Sequence, residues 1–89
     1  MSAEKETLLE FPCRFPIKAM GLAAADFDAL VVGIVRRHAP DLKESAVQSR
    51  SSRGGKYLSV TITIEATSKD QLDAIYQALS DHERVLMSL

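Results

Sequence analysis

The residues best suited to catalysis or metal binding are few in this sequence and lie far apart. The chain has two histidines, His38 and His82, and one cysteine, Cys13. A zinc site needs three or four converging ligands, and none of these residues has a neighbour at CxxC or HxxxH spacing. A nucleophilic cysteine needs an adjacent base, which the sequence does not supply. The sequence therefore predicts no catalytic residue, no metal site and no cofactor, and we do not expect an enzyme.

A basic turn is the first candidate for binding without catalysis. Arg53 and Lys56 flank two glycines, which invites comparison with a phosphate-binding loop. The Walker pattern fails, because its earlier glycine is missing and Tyr57 follows Lys56 where Ser or Thr is needed. Paired glycines supply the positive φ angles that tight hairpins require, so a plain hairpin is favoured. The alternative is a basic tip, formed by Arg53 and Lys56, that contacts an anion or an acidic partner.

Length and composition indicate one small globular domain. The chain has 89 residues, of which 46% are hydrophobic and 26% charged, and its formal net charge is −1. One cysteine cannot form an intramolecular disulfide, which favours a reducing compartment. No apolar run approaches the roughly 20 residues that span a bilayer. We therefore expect a cytoplasmic protein that does not bind membranes, with a flexible arm at residues 1–10 and a single domain at residues 11–89.

Charge is unevenly distributed within this nearly neutral chain. Residues 1–10 hold one base and three acids, whereas residues 36–56 hold six bases and two acids. The second segment predicts a local positive region, which could attract an anion. Its bases are Arg36, Arg37, Lys43, Arg50, Arg53 and Lys56.

Hydrophobic periodicity predicts the elements that must position these residues. Alternation predicts strands over 15–20, 44–52, 57–67 and 84–89, of which 44–52 is weak and polar. Helical spacing predicts a first helix over 25–38, and a close contact between this helix and the sheet would explain Gly33. It also predicts a second helix that begins at Ser68, where Ser68 and Gln71 fit a capping box. The order βαββαβ, with right-handed crossovers, predicts a ferredoxin-like α+β sandwich with two helices on one face of a four-stranded antiparallel sheet.

Three stretches of the chain resemble the YbeD-like family of small bacterial proteins. They are Lys18–Gly21, His38–Pro40 and Ser51–Ile62, and the resemblance extends from about Leu8 to Leu89. It implies a βαββαβ domain similar to the ACT-type regulatory domains of amino-acid enzymes. It implies little about function, because the family is itself largely uncharacterised.

The resemblance also makes Gly21 a candidate for ligand binding. In ACT-type domains the loop between the first strand and the first helix often lines a small-ligand pocket, where free N–H groups attract a carboxylate. Here Asp26 and Asp28 would lie in the first turn of the helix and repel an anion. A turn glycine that ends the first strand is therefore favoured at Gly21.

Two functions remain open at the level of sequence. The first is a non-catalytic regulatory or adaptor domain that binds a small metabolite or a protein, with self-association as a further possibility. The second is an RRM-like nucleic-acid-binding domain, because the open sheet face should carry Lys18, Ser59, Thr61 and Thr63, with Tyr57 near the edge. The RNP1 pattern is missing and a single tyrosine supplies little stacking, so nucleic acid is not the expected partner.

Overall fold

The computed structural model describes residues 10–89, which contain four strands and two α-helices. The strands are β1 (Cys13–Leu22), β2 (Val47–Ser51), β3 (Tyr57–Ala66) and β4 (Met87–Ser88). Helix α1 (Phe27–Arg36) follows β1, helix α2 (Lys69–Asp81) follows β3, and a short 3-10 helix (Glu44–Ala46) precedes β2. The sheet order is β2-β3-β1-β4, all antiparallel, which confirms the predicted ferredoxin-like α+β arrangement. The predicted flexible arm lies outside the described residues, except for Glu10.

The two long central strands form the framework of the sheet. Every residue of β1 pairs with a residue of β3, from Cys13 opposite Ala66 to Leu22 opposite Tyr57. At the β4 edge, the backbones of Lys18 and Leu89 exchange two hydrogen bonds of 3.0 and 2.8 Å. The flanking strands are short, so β1 and β3 carry most of the sheet's hydrogen bonds.

One face of this sheet is buried beneath both helices. Its buried residues face one another across strands, as Ile17 does with Ile62 and Ala19 with Val60. Because side chains alternate along a strand, this face takes every second residue and leaves the other face uncovered. Within residues 10–89, thirteen hydrophobic residues are buried: Ile17, Ala19, Phe27, Val31, Val35, Ala39, Val60, Ile62, Ile64, Ala66, Leu72, Ile75 and Leu79.

A glutamine joins the two helices at one end of the molecule. The Ser68 hydroxyl accepts a hydrogen bond from the Gln71 backbone N–H at 3.0 Å, as the predicted cap requires. The Gln71 side chain differs from the capping-box prediction, because its Oε1 accepts from the Thr67 N–H at 2.8 Å and not from Ser68. Its Nε2 donates to the His38 carbonyl at 2.7 Å. Gln71 thus links the start of α2 to the loop after α1.

The β2–β3 hairpin has the geometry that its glycines predict. Gly54 and Gly55 have φ angles of 86° and 77°. Ser52 closes the turn, because its backbone N–H donates to the Tyr57 carbonyl at 2.9 Å and its hydroxyl accepts from the Tyr57 N–H at 3.0 Å. The turn is therefore stabilised by its own backbone and by one serine.

Several predicted boundaries are wrong by two or three residues. Helix α1 is shorter than predicted, and β1 continues through Gly21 to Leu22, so this glycine does not end the strand. Helical spacing from Phe27 would bury both Leu30 and Val31, but Leu30 is only half-buried, whereas Val31 is fully buried. Within residues 10–89, neither helix has the length and apolar character needed to cross a membrane.

Gly33 does not make the close helix–sheet contact that we predicted. It lies on the exposed side of α1, and a methyl group added there would meet no atom within 4 Å apart from the adjoining backbone of its own helix. The prediction is wrong because Phe27, Val31 and Val35 form the buried stripe, which turns Gly33 toward solvent. The glycine therefore lowers helix stability without a packing benefit.

We expect Gly33→Ala to raise the free energy of unfolding by about 0.5–1 kcal/mol, because alanine is the better helix former and has room here. Gly54→Ala is the matched control, since a positive φ should cost an alanine about 1–2 kcal/mol. Chemical denaturation of both variants measures these values. A loss of stability in Gly33→Ala would contradict the assigned position of α1.

Candidate functional site

The predicted ligand residues lie at one end of the sheet but on different faces of it. Gly21 pairs with Leu58 in β3, and the Ala23 N–H donates to the Lys56 carbonyl at 2.9 Å. Gly21 is buried on the helix side, whereas the Lys56 ammonium lies 5.5 Å from the centroid of the Tyr57 ring. Arg53 is exposed at the hairpin tip. Gly21 and the two bases therefore do not form one pocket, and their role in binding stays a prediction.

The packing around Gly21 explains why this residue is a glycine. A methyl group at this position would come within 2.5 Å of Phe27 Cε1 and would also collide with the Arg84 carbonyl oxygen. Both distances lie far inside van der Waals contact. The absent side chain therefore allows α1 and the segment before β4 to lie directly on β1, with no need to invoke a ligand.

An ion pair occupies the beginning of α1, next to this contact. Asp26 holds the N-cap position but forms no capping hydrogen bond with its side chain. Its carboxylate instead accepts two hydrogen bonds from the Arg84 guanidinium, at 2.8 and 3.0 Å. The hydrogen bond from Arg84 lowers the pKa of Asp26, and the Asp26 carboxylate raises the pKa of Arg84. The helix end where the ACT-type resemblance implies a ligand carboxylate thus already holds a protein carboxylate.

The fold leaves the sheet face opposite the helices uncovered. We call it the open face. It consists of alternate residues of the four strands: Arg14, Pro16, Lys18, Met20 and Leu22 from β1, Gln48 and Arg50 from β2, Tyr57, Ser59, Thr61, Thr63 and Glu65 from β3, and Met87 from β4, continued by Leu89 beyond it.

One part of the open face is a shallow polar depression that contains two bases. Lys18 pairs across the sheet with Thr61, and Arg50 pairs with Ser59. These residues, with Gln48 and Ser49, line a concavity of about 560 Å³ that has no carboxylate in its lining. Two cations, hydroxyls and an amide can together hydrogen-bond an anionic group.

The other part of the open face is apolar, and we call it the apolar corner. It consists of Met20, Leu22, Met87 and Leu89, where Met20 pairs with Met87 and Leu22 lies beside Tyr57. The side chains of Leu22, Met87 and Leu89 are 56%, 53% and 67% exposed. Single exposed leucines are ordinary, but neighbouring apolar side chains at one edge of a sheet are typical of contact surfaces.

A larger groove of about 830 Å³ lies at the far end of the sheet, between β3 and the loop after α1. Arg14, Lys43, Asp41 and Glu65 line it, so bases and acids are mixed along its walls. The Gln71 amide in its lining is already hydrogen-bonded on both sides. Nowhere in residues 10–89 do three His, Cys, Asp or Glu side chains come together as a metal site would require.

Comparison with known proteins agrees with the fold and identifies the family. The protein is a small ferredoxin-like α+β domain, and protein HP0495 from H. pylori shares this fold in its solution structure. That likeness has a TM-score of 0.68, covers 91% of this chain and 85% of the other, and involves only 13% sequence identity, so it shows the fold alone.

Sequence comparison places the chain within one bacterial family. Residues 6–89 match the model of a protein family of unknown function, DUF493, and the chain belongs to this family. A UPF0250 protein from Nitrosomonas europaea is 52% identical over 85 residues, which are 96% of this chain and 98% of the relative. A UPF0250 protein from Chromobacterium violaceum is 49% identical over the whole of both chains. The resemblance to the YbeD-like family is thereby confirmed.

The sequence analysis missed three parts of this arrangement. No local sequence pattern identifies Arg84, because its partner Asp26 is 58 positions away in the chain. Arg50 was counted among the bases of its segment, but its place on the same sheet face as Lys18 depends on strand register. Met87 and Leu89 were recognised as alternating strand residues, yet alternation does not say which face a strand buries.

The ion pair predicts a specific pH dependence of stability. The folded-state pKa of Asp26 is lowered, so its stabilising effect is complete above the unfolded value of about 3.9 and is lost as pH falls through the folded value. The Arg84 guanidinium carbon also lies 6.0 Å from the centroid of the Phe27 ring, and Arg84→Met removes the charge while keeping a long apolar side chain at this position. The difference in free energy of unfolding between wild type and this variant should therefore hold at about pH 6 and shrink as the pH falls below about 4.

Denaturation at several pH values checks this prediction, with Arg50→Met as the control for loss of an exposed positive charge. Added salt should reduce the same difference, because both side chains of the ion pair are partly exposed. A difference that does not change with pH would contradict the assigned pairing.

Proposed function

We propose that the chain is a non-catalytic adaptor domain that binds a protein partner over the open face of its sheet. The apolar corner supports this proposal most directly. Leu22, Met87 and Leu89 each expose more than half of their surface, on a face that no helix covers. Removing apolar surface from water contributes about 25 cal/mol per Å², so a partner that covers these side chains gains affinity there.

The absence of catalysis, which we include in the proposal, is supported by where the reactive residues lie. Cys13 pairs with Ala66 at the start of β1. The His82 ring accepts a hydrogen bond from the Arg84 N–H at 3.1 Å through Nδ1, which gives it a role in the local turn. His38 lies in the groove of mixed charge. These three side chains belong to separate regions, and none belongs to the open face.

A protein partner is favoured over the alternatives for reasons of surface chemistry. A small metabolite at the beginning of α1 would have to displace the Asp26–Arg84 ion pair. For an RNA strand, the open face offers one aromatic residue for base stacking, Tyr57, and its apolar corner carries no aromatic side chain. A regulatory role similar to that of ACT-type domains and a cytoplasmic location, both predicted from the sequence, stay predictions.

The proposal is tested by affinity capture from a lysate of a bacterium that encodes the protein. We expect wild type to retain a protein that the double variant Leu22→Ser with Met87→Ser loses, since the change removes the exposed apolar area. The matched control is Ala29→Ser with Gln77→Ser on the exposed sides of the helices, which should capture as wild type does. Circular dichroism verifies that all three proteins are folded.

Capture that is unaffected by Leu22→Ser with Met87→Ser would contradict the proposal. So would a captured nucleic acid in place of a protein, which would favour the RRM-like alternative.

A further inference from the structure

The charges on the open face are not balanced. The face carries three bases, Arg14, Lys18 and Arg50, and one acid, Glu65. Arg14 and Glu65 lie directly opposite each other on β1 and β3, so their charges compensate locally. In the described part of the chain, neither Lys18 nor Arg50 forms an ion pair with a carboxylate. The polar depression of the open face therefore carries two positive charges that no carboxylate pairs with in the described residues.

The hairpin extends this positive region toward solvent. Arg53 and Lys56 follow β2 and precede β3, at the same end of these strands as Arg50. The Lys56 ammonium lies over the Tyr57 ring, which itself belongs to the open face. The two bases predicted from the sequence thus lie on the hairpin that joins β3 to β2, the strand that carries Arg50.

We infer, on the basis of the proposed function, that the partner docks through an acidic segment with apolar anchors. Its carboxylates would lie over Lys18 and Arg50, and its apolar side chains would cover the apolar corner. Arg50 offers a guanidinium fork suited to a carboxylate, and Lys18 adds a second charge. The Thr61 and Ser59 hydroxyls stand between the two cations and can donate to the same carboxylates.

The spacing within the sheet places the two bases and the apolar corner close enough together for one short peptide segment to contact both. Met20 and Lys18 are next-but-one neighbours on β1, so both project from the open face about 7 Å apart along the strand. Arg50 lies two strands from β1, about 10 Å across the sheet. An amphipathic segment of a few turns covers both distances, with acidic side chains on one side and apolar side chains on the other.

A nucleic acid would contact only the basic part of the open face and not its apolar corner. Phosphates could contact Lys18 and Arg50, but they would leave Leu22, Met87 and Leu89 exposed. The net charge of −1 also provides no long-range attraction for a polyanion such as a nucleic acid. An acidic, apolar protein segment matches both halves of the open face.

The test is an NMR titration of ¹⁵N-labelled protein with two synthetic amphipathic peptides. Both carry leucine at positions i, i+3, i+4 and i+7, and one has glutamate and the other lysine at the remaining positions. We expect the glutamate peptide to shift amides of residues 18–22 and 57–61, and the lysine peptide not to bind there. Binding should weaken as salt rises from about 0.05 M to about 0.5 M.

Charge variants then locate the contact. Lys18→Gln with Arg50→Gln should weaken binding of the glutamate peptide about five- to tenfold, as the loss of two exposed ion pairs predicts. Arg37→Gln with Lys43→Gln removes the same charges away from the open face and should bind as wild type does. Equal binding of both peptides, shifts confined to the helices, or equal weakening in the two variants would overturn the inference. Tighter binding of a single-stranded RNA that the first variant removes would also overturn it.

The same variants separate this inference from the proposed function. If the protein captured from lysate depends on Leu22 and Met87 but not on Lys18 and Arg50, the adaptor proposal stands and the acidic partner is wrong. If capture depends on neither pair, the adaptor proposal itself fails.

Discussion

At Gly21, β1 passes so close to the Phe27 ring and to the Arg84 carbonyl oxygen that no side chain fits between them. Three segments meet at this point: the end of the central strand β1, the first turn of α1 and the chain that leads into β4. The Asp26–Arg84 ion pair joins the second and third of these segments from the outside. Just beyond it, the Leu86 N–H donates to the Met20 carbonyl at 2.8 Å, which begins the pairing of β4 with β1. The fourth strand therefore depends on the close approach at Gly21.

The same contact bears on function. It fills the beginning of α1 with protein groups, so the part of the fold that an ACT-type resemblance would assign to a ligand is used for packing. It also holds the segment before β4 in place, and β4 brings Met87 and Leu89 beside Met20 on the open face. A residue buried on the helix side of the sheet thus helps to build the surface that we propose for a partner on the other side.

Local patterns predicted the elements well, and long-range contacts explain what they missed. The alternation of β3, the glycines of the hairpin and the Ser68 cap each depend on neighbouring residues, and the structure has all three. The structural roles predicted for Gly21 and Gly33 were wrong, because the sequence around a glycine does not show whether another helix or strand packs against it. The pairing of Asp26 with Arg84 arises from loop closure, and the placement of Arg50 and Lys18 on one sheet face arises from strand register. The open face was predicted in part, but its apolar corner depends on which face β4 presents.

The central claim is that the close packing of Gly21 against Phe27 holds these segments together, and a double-mutant cycle tests it most directly. Free energies of unfolding are measured for wild type, Gly21→Ala, Phe27→Leu and the double variant. An added methyl in a packed site costs about 1–3 kcal/mol, so Gly21→Ala should lose about this amount. The loss should be smaller in the Phe27→Leu background, where a smaller side chain leaves more room. An unchanged stability of Gly21→Ala, or an equal loss in both backgrounds, would contradict the account.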